Sequence, residues 1–289
     1  MSLEITTAMV KQYHENVQLL SQQKGSRLRN AVRFETVRGQ YGFFDQIGAT
    51  SARKRTARHA DTPLVSTPHS RRRVNTVDFD WADLLDSLDE VKLLGSPVSK
   101  YAINASAAFG RAMDDEIIAA FDGTAYTGVD GGTETSFDST NNSIAHGSTS
   151  MTVAKILSCK EILDGWDVDP DIARFIALTS TQVTALLNAT EVKSADYNTV
   201  KALAAGQIDT FCGFKFIQTE RLLVPATTSR ACFAWAEDGM LLGVGQDIKT
   251  DIGPRRDKNM AVQVYVNMSI GATRMEEKKV VRVYCWEGA

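Results

Sequence analysis

Four histidines, four cysteines and one acidic run are the side chains here whose types could support catalysis or metal binding, and their spacing supports neither. His14, His59, His69 and His146 lie far apart in polar segments, outside any HExxH or nucleophile–base arrangement. Cys159, Cys212, Cys232 and Cys285 show no CxxC spacing, which predicts buried thiols of a reducing compartment rather than zinc ligands or a disulfide framework. The stretch "DGWDVDPD" brings Asp164, Asp167, Asp169 and Asp171 together, a carboxylate density that could suit Ca²⁺. It lacks the glycine and the twelfth-position glutamate of a calcium loop, so a solvated helix exit and turn is expected. "GVGQD" at 243–247 is too short for a dinucleotide fingerprint, and no phosphate-cradling Walker loop or GxSxG is present. An enzyme is not expected, nor is a cofactor or a metal.

The chemistry that does stand out is charge. Residues 49–76 read "ATSARKRTARHADTPLVSTPHSRRRVNT" and hold Arg53, Lys54, Arg55, Arg58, Arg71, Arg72 and Arg73 against one acid, Asp61. Such runs usually mark nucleic-acid binders. Two features oppose that reading: the chain carries a net charge of −3, and no aromatic interrupts 49–76 to stack on bases. The acidic complement stands close by, in Asp78, Asp80, Asp83, Asp86, Asp89 and Glu90, with Asp114, Asp115 and Glu116 further on. Alternating basic and acidic patches favour self-association and fix its register. These residues are therefore the candidates for contacts between copies of the chain; a solvated basic loop is the plainer alternative.

The positioning elements can be read from periodicity. Met9, Tyr13, Val17 and Leu20 fall at helical spacing in an otherwise polar arm. "RFETVRGQYGFFDQI" (33–47) is strand-like, and "NTVDFDW" alternates Val77, Phe79 and Trp81 with Asp78 and Asp80. These two stretches are expected to flank the basic segment as a long hairpin, which as two strands is marginal alone and needs a partner surface. Ser96 and Pro97 signal a helix start. From there Tyr101, Ala105, Phe109, Met113, Ile117 and Phe121 recur every fourth residue as far as Gly123, predicting a helix of roughly 39 Å. A polar loop (128–150), a second helix over 152–165 and a buried strand follow. The next helix opens with Thr179 and Gln182 at capping-box spacing. Strands then dominate to the end, giving an α+β chain. At 289 residues and 43% hydrophobic it can bury one large domain or two lobes. It contains no apolar run near the ~20 residues that span a bilayer, and no secretion signal, which predicts a soluble protein without membrane partners.

In order and spacing these elements resemble the major capsid proteins of tailed bacteriophages, the Hong Kong 97-like fold, over nearly the whole chain. The matching phrases are the helix "SPVSKYAINASAAFGRAMDDEIIAAFDG", the step "LTSTQVTALLNA", "FCGFKFIQTERL" around Gly213, and the late strand "AVQVYVNMSIGATRM". The resemblance implies an N-terminal arm (1–32), an extended hairpin loop (33–82) and a peripheral domain with its spine helix at 96–123 (83–170). A mainly axial domain (171–245) and returning β-structure (246–289) complete it. It also implies a structural subunit that assembles in the host cytoplasm into hexamers and pentamers of an icosahedral virion shell around double-stranded DNA. The net charge of −3 predicts that the shell touches that DNA weakly and without sequence preference. Separate scaffolding, portal and decoration proteins are the implied partners, since the chain is too short to carry a fused scaffolding domain. The hairpin would lie on an adjacent subunit. Some members cross-link through a lysine in this loop; Lys54 is the only lysine between 25 and 91 and has no identifiable asparagine partner, so cross-linking is not expected. An encapsulin-like nanocompartment shell is the nearest alternative, and a nucleic-acid-binding protein using the basic hairpin a more distant one.

Overall fold

The computed structural model describes residues 21–55, 57–58, 61–62, 64–85, 98–188 and 210–287. The expected arm helix near Met9–Leu20 and the Ser96–Pro97 helix start lie outside the described residues. After a 3-10 turn at Arg29–Ala31 come β1 (Arg33–Thr36), β2 (Tyr41–Ile47), β3 (His69–Asn75) and β4 (Val77–Leu85). Helix α1 (Val98–Asp122) follows, then the short strands β5 (Ala125–Thr127), β6 (Thr133–Thr135) and β7 (Ser143–Ile144). Next are α2 (Val153–Gly165), β8 (Arg174–Leu178), α3 (Ser180–Asn188), β9 (Thr210–Phe211) and β10 (Phe214–Gln218). The long strands β11 (Ser229–Ala236), β12 (Met240–Arg255), β13 (Ala261–Arg274) and β14 (Val280–Trp286) end the chain. They form sheets in the orders β1-β12-β13-β4, β7-β14-β11-β8-β10-β9 and β2-β3-β5-β6.

Two compact units emerge, each drawn from three separate stretches. One takes the residues up to Ser26, Val77–Met113 and Gly245–Ile270; the other takes Arg27–Thr76, Asp114–Val244 and Gly271–Ala289. In the first, β4 pairs antiparallel with β13 from Val77↔Ile270 to Leu85↔Val262. The period-two pattern holds from Asp78 onward: Phe79, Trp81, Asp83 and Leu85 form the half-buried row and Asp78, Asp80, Ala82 and Leu84 the exposed one, whereas Val77, expected beside Phe79, is 48% exposed. Val264, Val266, Met268 and Ile270 of β13 are buried. The first half of α1 buries Ala105, Phe109 and Met113, the row read from the sequence. Gln22 ties the chain to this helix, donating to Asn104 at 3.0 Å and accepting from Arg111 at 2.8 Å.

The second unit is built on the six-stranded sheet. β11 and β14 are antiparallel from Ser229↔Trp286 to Trp235↔Val280, and β8 is buried along its whole length. Phe121, near the end of α1, stacks on Phe233 at 4.8 Å and packs against Trp235 at 4.6 Å. The buried Trp235 indole finds its hydrogen-bond partner in the Ala31 carbonyl at 2.7 Å. At the C-terminal end of α1 the buried Arg274 guanidinium donates to the Phe121 and Gly123 carbonyls, 2.9 Å each, satisfying acceptors that the helix leaves open.

Two local expectations are corrected. The strand across the hairpin from 41–47 is 69–75, not 77–82, because β4 is taken by β13. The Thr179/Gln182 pair does not close a capping box. Both side chains instead donate to Glu287, at 2.8 and 3.1 Å, and the Ser180 N–H at the start of α3 is met by Glu220 at 2.6 Å. A tertiary carboxylate outcompetes the local cap.

Candidate functional site

β3 contains the Arg71–Arg72–Arg73 triplet, and strand geometry sends alternate side chains to opposite faces. The even residues point inward. Arg72 is 7% exposed and Val74 is buried in a cluster with Leu241 and Met275, against which Phe44 packs. Arg72 donates to the Met275 carbonyl at 2.9 Å and to Glu277 at 2.6 Å. The odd residues point outward. Arg71 meets Asp45 at 2.6 Å across the β2/β3 pair, and this hydrogen-bonded guanidinium holds the Asp45 carboxyl below the usual carboxylate range. The Arg73 guanidinium lies between two tyrosine rings, 4.9 Å from Tyr41 and 4.5 Å from Tyr126.

The hairpin register runs from Tyr41↔Asn75 to Ile47↔His69 and is extended by the Gly48 N–H on the Pro68 carbonyl at 2.8 Å. Beyond it, the described part of 49–67 has no regular structure. Arg53, Lys54, Arg55 and Arg58 are all exposed there, and none forms an ion pair with a described carboxylate. Leu64 is 97% exposed.

The acidic candidates divide in the same way. Asp78 and Asp80 sit on the exposed row of β4, while Asp83 is half-buried and accepts from the Leu84 N–H at 2.8 Å. Asp86, Asp89 and Glu90 lie outside the described residues. Asp115 is paired with Arg221. Burial and the neighbouring Asp115 charge push the Glu116 carboxyl above its ordinary range. Two candidates are corrected: Arg72 and Asp114 are buried with their charges engaged inside the chain. Asp114 accepts from the Arg27 and Leu28 N–H groups at 3.1 Å each, holding the turn that starts at Arg29. Neither is placed to reach a neighbour.

Sequence reasoning missed Tyr41, Phe43 and Tyr126, which bring to the arginines the aromatics lacking between 49 and 76. The signal lay in "YGFFDQI", whose alternation sets Tyr41, Phe43 and Asp45 on one face. Among the described residues no cluster of histidine, cysteine and carboxylate side chains is arranged to hold a metal. Cys159, Cys232 and Cys285 are buried, and burial pushes the Cys159 thiol up to about 12.

A paired base and an exposed basic tip describe a part made for contact. Residues 5–287 match the phage capsid protein family. The chain belongs to that family. The solved structures agree on the fold. The capsid of the cyanophage P-SCSP1u superposes with a TM-score of 0.75 at 13% identity, covering 98% of this chain and 94% of that one. The capsid of Ralstonia phage GP4 gives 0.76 at 9% identity, with 96% and 95% covered. The acid-stable capsid of the Helicobacter pylori bacteriophage KHP30 gives 0.71 at 11% identity, with 100% and 98% covered. No curated protein sequence matches this capsid protein. Its fold is Hong Kong 97-like, its role is that of a structural phage capsid protein, and its place is the shell of the virion.

Proposed function

We propose that this capsid protein closes into an icosahedral head of hexamers and pentamers around double-stranded DNA, without catalytic activity of its own. The observation that carries the reading is the hairpin: exposed cations and an almost fully exposed Leu64 extend past the last paired residues, with no described core around them. A segment of that kind is stabilised by burial on another copy. Arg53, Lys54, Arg55 and Arg58 at the tip would face carboxylates of an adjacent subunit, with Asp78 and Asp80 the exposed described ones. Scaffolding, portal and decoration proteins would be separate chains, and contact with the packaged DNA weak and unspecific, in keeping with the net charge of −3. The nanocompartment alternative is not favoured by the family match.

Sedimentation and image reconstruction of purified particles test this. Megadalton shells with six- and five-fold capsomers are expected. A stable monomer or dimer under all conditions overturns the assembly reading, and uniform DNA-free shells without a portal vertex would restore the nanocompartment.

A further inference from the structure

Four aspartates stand directly before a glycine, at 122–123, 130–131, 164–165 and 238–239, and the fold treats them unequally. An Asp–Gly peptide can react with itself, because the glycine amide nitrogen lies beside the carboxyl and no Cβ shields it. Three of the four are restrained twice. Asp122 ends α1 and pairs with Arg282, while the Gly123 N–H is held by the Ala119 carbonyl at 2.9 Å. Asp164 lies in the last turn of α2 and pairs with Arg174 at 2.7 Å. Asp238 lies in a 3-10 turn (Glu237–Gly239) and pairs with Lys279 at 2.6 Å. In each, ring closure would rotate the backbone out of a helical ψ and pull the carboxylate off its cation.

Asp130 has neither restraint. It is exposed in the turn between β5 and β6, beside a Val129 that is 80% exposed, and it makes no ion pair with a described residue. Arg71 senses its charge but is hydrogen-bonded to Asp45. Gly128 (φ +96°) and Gly131 (φ +63°) flank the turn, which one main-chain bond closes, from the Gly131 N–H to the Gly128 carbonyl at 3.1 Å. A turn flanked by glycines bends at little cost. We propose that Asp130–Gly131 is a site of spontaneous isoaspartate formation in this capsid protein. The Gly131 nitrogen attacks Cγ of the protonated Asp130 carboxyl, and the carboxyl hydroxyl leaves with the amide proton as water, closing a succinimide. Water then adds to a ring carbonyl. Addition at the former main-chain carbonyl reopens the ring with the chain running through Cβ and Cγ. One water leaves and one returns, so no oxidant or other reactant is consumed.

The backbone is then one methylene longer in a turn with no room for it. A Cβ on Gly131 would already come within 2.7 Å of the Arg73 side chain and 3.1 Å of Phe43. The added length pushes Gly131 off this seat and disturbs the β5/β6 pairing next to it, at Thr127↔Thr133. A virion cannot resynthesise its subunits, so even a slow reaction of this kind accumulates with age. Only the folded chain is needed, so the shell reading and this one stand or fall separately.

Ageing the full-length protein in neutral buffer tests this, with labelling by protein isoaspartyl methyltransferase and electron-transfer fragmentation of its peptides. That fragmentation cleaves the Cα–Cβ bond that only isoaspartate places in the chain, and so resolves the four sites. Isoaspartate is expected at Asp130, forming at least about tenfold faster than at Asp122, Asp164 or Asp238. Comparable formation at any of those three, or none at Asp130, overturns the proposal. Asp130→Glu keeps the charge but would have to close a larger, slower-forming ring, and should abolish the product at this position. A product that persists there also overturns it. Ageing should lower the melting temperature of the wild type and spare Asp130→Glu; an equal decline in both overturns the packing consequence.

Discussion

Three consecutive arginines in β3 have three different fates, and the difference can be measured. Arg72 is buried on Glu277 and the Met275 carbonyl, whereas Arg71 and Asp45 form their pair with side chains 38% and 68% exposed. Removing one partner of a buried pair leaves the other charge uncompensated, while an exposed pair is screened by water. Arg72→Ala is therefore expected to destabilise the unassembled subunit by about 3 kcal/mol. Arg71→Ala should cost much less, because water screens its pair with Asp45. Urea denaturation of both variants checks the contrast, and equal losses would mean that the alternation in β3 is misassigned. Replacing all three arginines together would confuse folding with assembly, since Arg72 belongs to the fold.

Single side chains also bind elements to one another, and the end of β14 provides the test. Glu287 accepts from Thr179 and Gln182 around the start of α3 and from Arg230 of β11. Burial pushes its carboxyl up, but the hydrogen bonds from Gln182, Thr179 and Arg230 outweigh burial and set it below the ordinary 4.5. A lowered folded-state value means that the unfolded chain binds the proton more readily. The stabilisation is then complete above pH 4.5 and is lost as the pH falls through the folded value. Glu287→Gln should lower stability at pH 7 and flatten the acid side of the stability–pH curve; parallel curves for the two proteins would contradict this. Gly271 makes a second element-scale case. A Cβ there would lie 1.8 Å from the Asn75 carbonyl oxygen, a backbone atom that cannot give way. Gly271→Ala should cost more than about 2 kcal/mol by thermal melting of the subunit.

At the scale of the whole molecule, the tip of the hairpin should matter only after assembly. Arg53, Lys54, Arg55 and Arg58 are exposed and make no ion pair with a described carboxylate, so replacing all four with Ala should change subunit stability by less than about 0.5 kcal/mol. Each contact with a neighbour is worth only ~0–1 kcal/mol, but a shell repeats it in every copy. The fourfold variant should therefore assemble less completely, and salt near ~1 M should reproduce its defect in the wild type. Shells of the variant with unchanged resistance to heat and salt, followed by light scattering, would rule out the charged tip as a contact.

The sequence by itself determined what depends on neighbours along the chain. The fourfold apolar row from Ala105 to Phe121 predicted a helix at 96–123, and α1 occupies Val98–Asp122; the helix expected at 152–165 is α2 at Val153–Gly165. The same holds for the alternation around Phe79 and Trp81 and for the unbroken burial of β8, since helical and strand periodicity are local properties. Order and spacing of these elements were enough to indicate the capsid family. Tertiary structure decided which strand pairs with which, and which charges are available. β4 could have closed the hairpin by its pattern, but it lies on β13, nearly two hundred residues later in the chain. Arg72 reads as one more surface cation until Glu277, 205 positions away, arrives beside it. Likewise Thr179 and Gln182 carry a local capping signal that Glu287 overrides from 108 and 105 positions away. A buried charge is stable only where a distant partner and a hydrogen-bonded setting replace its water, and no local pattern encodes where that partner will be.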